Sequence, residues 1–223
     1  MDVYRTEEEQ IEAIKKWWQA NGNNILMGIG LAIAVVFGYQ FWKDSEQAAG
    51  ESASLVYDQL IEANDKLATV DVESEDYKTE SGNFKHLVEQ LKTEHANTQY
   101  AVFAALFEAK LAVQNGDTEA AETALRWALT NNKTEPNRLI IQLRLARVLA
   151  MKGDHQGALG MIEKIDAGAQ TSAYEELKGD LYVALNQKEK ARSAYRNALD
   201  AAGADVQQRP LLKMKFDNLA VTE

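Results

Sequence analysis

"LFEAKLAVQNGDTEAAETALRWAL", residues 106–129, reads as two amphipathic segments joined by a short polar turn, Asn115-Gly116-Asp117. Two more stretches align with it without gaps: "LRLARVLAMKGDHQGALGMIEKI" from Leu143 and "ELKGDLYVALNQKEKARSAYRNAL" from Glu176. Each is a helix, a turn and a helix. Gly116 and Gly153 sit where the first helix must stop, since glycine adopts the left-handed conformation that ends a helix at little cost; the third turn, Asn186-Gln187-Lys188, is a degenerate version. Small residues recur where paired helices have to pass closely: Ala109, Ala146 and Gly179 in the first helix, Ala121, Ala158 and Ala191 in the second.

The pattern resembles the tetratricopeptide repeat, a helical hairpin of about 34 residues that stacks into a solenoid. Gly116 and Gly153 are 37 positions apart, Ala158 and Ala191 are 33 apart, and the turn-like "NNKTEPN" around Pro136 absorbs the difference. The family's early Trp is replaced by Ala105, Gln142 and Glu175, and its closing Pro is absent. The expected repeats cover residues 102–135, 139–171 and 172–205. Upstream, Ala53, Val56, Leu60, Ala63 and Leu67 mark one amphipathic helix, and Phe84, Leu87, Val88 and Leu91 another, a divergent first pair over 48–95. Between them the acidic "TVDVESEDYKTESGN", around residues 70–82, reads as a solvated loop. Leu212, Phe216 and Leu219 fit a capping helix within 206–220, starting near Pro210, that hides the open end of the stack.

Before the repeats lies "ILMGIGLAIAVVFGYQFW", residues 25–42, without a charge in a chain that is 26 % charged. As a helix it is about 27 Å long, close to the roughly 30 Å hydrocarbon core of a bilayer. Trp17 and Trp18 precede it and Tyr39, Phe41 and Trp42 end it, the placement expected of rings at two membrane interfaces. Its 24-residue leader holds five acids, and the run ends in bulky residues rather than a small-residue cleavage site, so the reading is an uncleaved anchor and not an export signal. Arg5, Lys15 and Lys16 on the amino side against Lys43 on the other favour a cytoplasmic leader, 1–24, and residues 43–223 outside the cytoplasm. Gly30, Ala34 and Gly38 recur every four residues and offer a smooth strip to another membrane helix. In the leader, Thr6 with Glu9 forms a capping box ahead of Ile11, Ile14 and Trp18, an amphipathic surface helix broken at Asn21-Gly22-Asn23-Asn24.

The fold class expected is therefore all-α: a single transmembrane helix followed by a tetratricopeptide-like α-solenoid. With 34 Asp and Glu against 24 Lys and Arg, the net charge of -10 argues against nucleic acid, whose phosphates need clustered cations. No cysteine is present, and His86, His95 and His155 show no metal-ligand spacing. With no nucleophile elbow, phosphate loop or dinucleotide fingerprint, the sequence suggests neither an enzyme nor a cofactor. A repeat solenoid offers a concave protein-binding surface. In the usual register it would be lined by Phe103, Leu106, Lys110, Val113, Gln114, Ile140, Leu143, Arg147, Met151, Glu176, Asp180 and Val183.

The layout as a whole is similar to the YfgM family of bacterial inner-membrane proteins. The resemblance lies in "YRTEEEQIEAIKKWWQANG", the span ending "GYQFWKDS", the following "ASLVYDQL", then "LIIQLRLARVLAMKGDHQGAL" and "GDLYVALNQKEKARSAYRNAL". It implies an ancillary subunit of the Sec translocon, anchored in the inner membrane with its repeats in the periplasm. Its implied partners are the translocon channel, a membrane-anchored periplasmic chaperone of the prolyl-isomerase type and emerging secretory chains. A second expectation, from a different class, is an envelope-stress regulatory protein acting through its cytoplasmic leader.

Overall fold

The computed structural model describes residues 7–219, and among these every regular element is helical. The chain divides into two compact units, with the boundary between Glu51 and Ser52.

The first unit is helical from Glu7, the start of α1 (Glu7–Leu67). The expected break at residues 21–24 is absent. Asn21 donates its side-chain amide to the Trp17 carbonyl at 3.0 Å, satisfying itself within the helix. Gly22 lies under the Trp18 indole, where an added Cβ would come within 3.0 Å of the ring. Glycine here makes room for a tryptophan one turn earlier instead of stopping the helix. Thr6 of the expected capping box lies outside the described residues. The segment satisfies the length and apolarity needed to cross a membrane, and none of its most apolar window is buried within the protein. Leu31 and Phe41 are 69 % and 78 % exposed.

In the second unit the carboxyl-terminal part of α1 pairs with α2 (Glu75–Glu94). The acidic stretch expected as a loop is mostly the start of α2, and only residues 68–74 are irregular. Ser74 caps the helix by accepting a hydrogen bond from the Tyr77 amide at 3.0 Å, and Glu75 and Asp76 sit in the first turn, where the exposed amides favour negative charge. The acids thus start a helix. Three hairpins follow: α3 (Gln99–Gln114) with α4 (Thr118–Asn131), α5 (Glu135–Met151) with α6 (His155–Ile162), and α7 (Thr171–Ala184) with α8 (Lys188–Ala202). Short 3-10 turns at Gly168–Gln170 and Gly203–Gln208 precede α7 and the last helix, α9 (Pro210–Asp217).

The three hairpin turns share one hydrogen-bond pattern. The amides of Asp117, Asp154 and Gln187 reach back to the carbonyls of Ala112, Leu149 and Tyr182 at 2.8–2.9 Å, closing each first helix. Gly116 (φ 74°), Gly153 (φ 86°) and Asn186 (φ 59°) supply the left-handed residue. Asparagine tolerates that conformation better than most residues, so the degenerate turn keeps its geometry. It does lose a cap: Asp117 and Asp154 accept from the amides of Ala120 and Gly157 at 2.9 Å, whereas Gln187 makes no such bond.

Three core clusters run along the stack, and α3 and α5 each serve two of them. Ala101 and Ala104 face α1 and α2 in the first, while Val102, Ala105 and Ala109 face α4 in the second. Ile141, Leu145 and Val148 belong to the second, and Leu143, Ala146 and Leu149 to the third. A helix sandwiched in this way is apolar on two sides, which is why α3 reads "AVFAALFEAKLAV" with so little polar relief. Ala121, Ala158 and Ala191 are fully buried, and a Cβ on Gly179 would lie 2.4 Å from the Tyr195 ring. α9 closes the third core with Leu212, 1 % exposed, while Arg192 and Arg196 stack over Phe216 at 5.0 and 5.6 Å.

Candidate functional site: an apolar groove on the repeats

The second unit carries a cavity of about 640 Å3, open to solvent, between α3 and α5. Along α3 it is lined by Phe103, Leu106, Phe107, Lys110, Val113 and Gln114, and along α5 by Asn137, Ile140, Arg144, Arg147 and Met151. The α5 series advances in steps of three and four, and on α3 each residue has another three or four positions away, so each set stays on one face of its helix. Tyr57 of α1 joins the lining. Its ring lies 6.2 and 6.3 Å from those of Phe103 and Phe107 and 5.3 Å from Tyr100, a tilted aromatic cluster. Burial, then the neighbouring Tyr100 and Asp58, raises its hydroxyl above the ordinary value, so Tyr57 is a neutral, amphipathic wall.

Of the positions expected from the repeat register, Phe103, Leu106, Lys110, Val113, Gln114, Ile140, Arg147 and Met151 come together in this cavity. Leu143 does not. It is 3 % exposed and packs in the third core, because the stripe on α5 runs Ile140, Arg144, Arg147, Met151 and leaves residue 143 one step behind it. Arg144 is the residue that spacing should have chosen. Glu176 and Asp180 lie on α7 in an ion-pair network: Glu176 meets Arg209 and, at 3.0 Å, Lys215, and Asp180 meets Lys215 at 2.8 Å. Asp180 also accepts the Tyr195 hydroxyl at 2.7 Å. These carboxylates hold α9 in place. Val183 is 42 % exposed and does not line the cavity. Tyr57, Phe107 and Asn137 were missed; for Tyr57 no spacing within the repeats could have pointed to it, since it comes from α1.

Neighbouring elements fix the walls. Lys92 of α2 meets Glu108 of α3 at 2.9 Å and lies 5.5 Å from the Trp127 ring of α4. Lys152, at the end of α5, meets Glu119 and Glu122 of α4 at 2.7 and 2.5 Å. Hydrogen bonds from Lys152 and then Arg126 hold the Glu122 carboxyl below its ordinary value. Asn137 of α5 donates to the Gln99 side chain of α3 at 3.1 Å. Among the described residues no three His, Asp or Glu converge as a metal site; His86 is exposed, and His95 and His155 are half-buried. In the first unit, Gly30, Ala34 and Gly38 fall along one face of α1, and a Cβ at either glycine would meet nothing within 4 Å.

Comparison with known proteins gives one consistent result. A family model described as a tetratricopeptide repeat-like domain matches residues 15–221. A Haemophilus influenzae protein named ancillary SecYEG translocon subunit is 32 % identical over 97 % of this chain and 100 % of its own length. Proteins of the same name from Escherichia coli and Neisseria gonorrhoeae are 25 % and 23 % identical, over 99 % and 98 % of this chain and 100 % of theirs. No solved structure gives a significant match.

Proposed function

The chain belongs to the tetratricopeptide repeat-like family of ancillary SecYEG translocon subunits, and from that premise we propose that it is a membrane-anchored, non-catalytic scaffold of the Sec translocon. The observation that carries the reading is a pairing within one chain: an uncovered apolar helix of membrane-spanning length, and repeats that leave an aromatic-lined groove open. The helix keeps the protein in the inner membrane by a single pass. The groove holds a segment of another protein, since packed helix pairs with an exposed apolar channel are suited to binding chains and not to covalent chemistry.

In this proposal Arg5, Lys15 and Lys16 keep the leader in the cytoplasm and residues 43–223 face the periplasm. The partners are the translocon channel and a membrane-anchored periplasmic chaperone of the prolyl-isomerase type, to which emerging secretory or outer-membrane chains are handed. Gly30, Ala34 and Gly38 are the strip on which a partner span would pack. The test is a photocrosslinking residue at Gln114, in the groove, and another at Glu189, on α8 outside it. Channel or chaperone adducts from Gln114 and not from Glu189 are the expected result; adducts from neither, with capture only through the leader, would favour the regulatory alternative. Because the chain has no cysteine, Glu73→Cys supplies a unique exposed thiol. An impermeant reagent should label it in intact spheroplasts, and protection until lysis would reverse the orientation.

A further inference from the structure

The groove has a sign. Its charged lining is Lys110, Arg144 and Arg147, with no Asp or Glu, in a chain whose net charge is -10. Elsewhere the arginines of the described residues are engaged: Arg126, Arg138 and Arg209 meet carboxylates, and Arg192 and Arg196 lie over Phe216. Arg144 and Arg147 are exposed and make no ion pair, hydrogen bond or ring contact among the described residues. Lys110 reaches only the Asn64 side-chain oxygen at 3.4 Å and the Phe107 ring at 5.8 Å. A guanidinium presents a planar fork suited to carboxylate. Two such forks one turn apart on α5 and an ammonium on α3 share the lining with Phe103, Phe107 and Ile140, an apolar floor with cationic groups.

Resting on the reading of the groove as a protein-binding site, we propose that its occupant is an acidic, apolar-anchored segment of a partner protein. Charge complementarity selects it. The net charge of -10 opposes the approach of such a segment to the molecule as a whole, the three cations of the groove attract it there, and the apolar floor holds it after encounter. From Asn137 to Met151 the α5 wall is about 20 Å long, room for roughly six extended residues. Aliphatic or aromatic side chains fill the floor, and interleaved Asp or Glu reach Arg144 and Arg147.

The test uses the purified full chain in neutral phosphatidylcholine nanodiscs and two fluorescent peptides that alternate Phe or Leu with Glu in one and with Lys in the other, read by anisotropy. The Glu peptide should bind about tenfold tighter at low salt, the scale of two or three exposed ion pairs, and salt should shrink the difference. The double variant Arg144→Glu, Arg147→Glu should reverse the preference, and Arg144→Gln, Arg147→Gln should abolish it. Both arginines are exposed and unpaired, so melting temperature should stay unchanged and a folding defect is distinguishable. Equal binding of the two peptides, lost for both in Phe103→Asp, would overturn the acidic preference while leaving the groove as a binding site. Binding of neither would overturn both readings. A dimer dissociated by Phe103→Asp would name a second copy as occupant and also contradict the proposal.

Discussion

Residues 25–42 and residues 53–67 belong to the same helix and are both rich in apolar side chains, yet they meet different surroundings. In the first stretch apolar residues circle the helix: Ile29, Leu31, Ile33, Val35 and Phe37 are all more than half exposed. In the second they keep to Ala53, Val56, Leu60, Ala63 and Leu67, spaced by three and four, and these are buried against α2 and α3. A helix with one apolar stripe is solved by a protein partner. A helix apolar all round, with that stretch unburied among the described residues, is suited to lipid. Periodicity, more than hydrophobicity, separates the two.

The largest effect that could break this contrast comes from charge. Leu31→Arg with Val35→Arg should cost about 3 kcal/mol each for insertion and release the protein from membranes in an alkaline wash, with little change in the thermal melt of the repeats. Leu60→Ala should do the reverse, lowering stability by about 2–5 kcal/mol while leaving membrane retention intact. A crossed result in either case would mean that the two stretches share one environment.

Next in size is Gly179→Ala. The new methyl would collide with the Tyr195 ring, and a loss of about 1–3 kcal/mol should appear in a denaturant melt. The same exchange at Gly82, where a Cβ meets nothing within 4 Å, should be neutral or slightly stabilising. Smaller still, Gly153→Ala forces an L side chain into the left-handed region at φ 86° and should cost about 1 kcal/mol, whereas Asn186→Gly should gain a few tenths.

The smallest effects concern pH. Glu122 is held below the ordinary carboxylate value of 4.5 by Lys152 and Arg126, so its contribution is complete above that value and fades as pH falls through the lowered one. Lys215 behaves oppositely. Burial pulls its pKa down, but Asp180 and Glu176 outweigh that and raise it above 10.5; its contribution is present below 10.5 and is lost as pH climbs through the raised value. Melting temperature against pH for Glu122→Gln and Lys215→Met should lose, respectively, part of the acid-side and alkaline-side slope.

Much of this architecture was legible because it rests on local rules. The turns at Gly116 and Gly153, the alanines at 109, 121, 146 and 158, and the last helix at Pro210 follow from backbone chirality, side-chain size and the missing proline amide. Where sequence reading went astray, one residue type had two uses. Asn21 and Gly22 resemble a helix stop, yet one bonds back to Trp17 and the other makes room for Trp18, contacts that composition does not reveal. Glu75 and Asp76 resemble part of a solvated loop, but with Ser74 before them they start α2. Most of the groove could be inferred from register alone. Leu143 went to the third core while its neighbour Arg144 took the groove face, Glu176 and Asp180 went to ion pairs with Arg209 and Lys215, Val183 stayed outside the cavity, and Tyr57 came from α1; these depend on tertiary packing and not on spacing within a repeat.

Residues 25–42 should remain in the bilayer and hold the repeats there. The most direct measurement is an alkaline carbonate wash of membranes from cells making the full chain, followed by intact mass of the retained and released fractions. An uncleaved protein that stays in the pellet until detergent is added is the expected outcome. A protein recovered in the supernatant, or one whose mass begins just past Trp42, would contradict it.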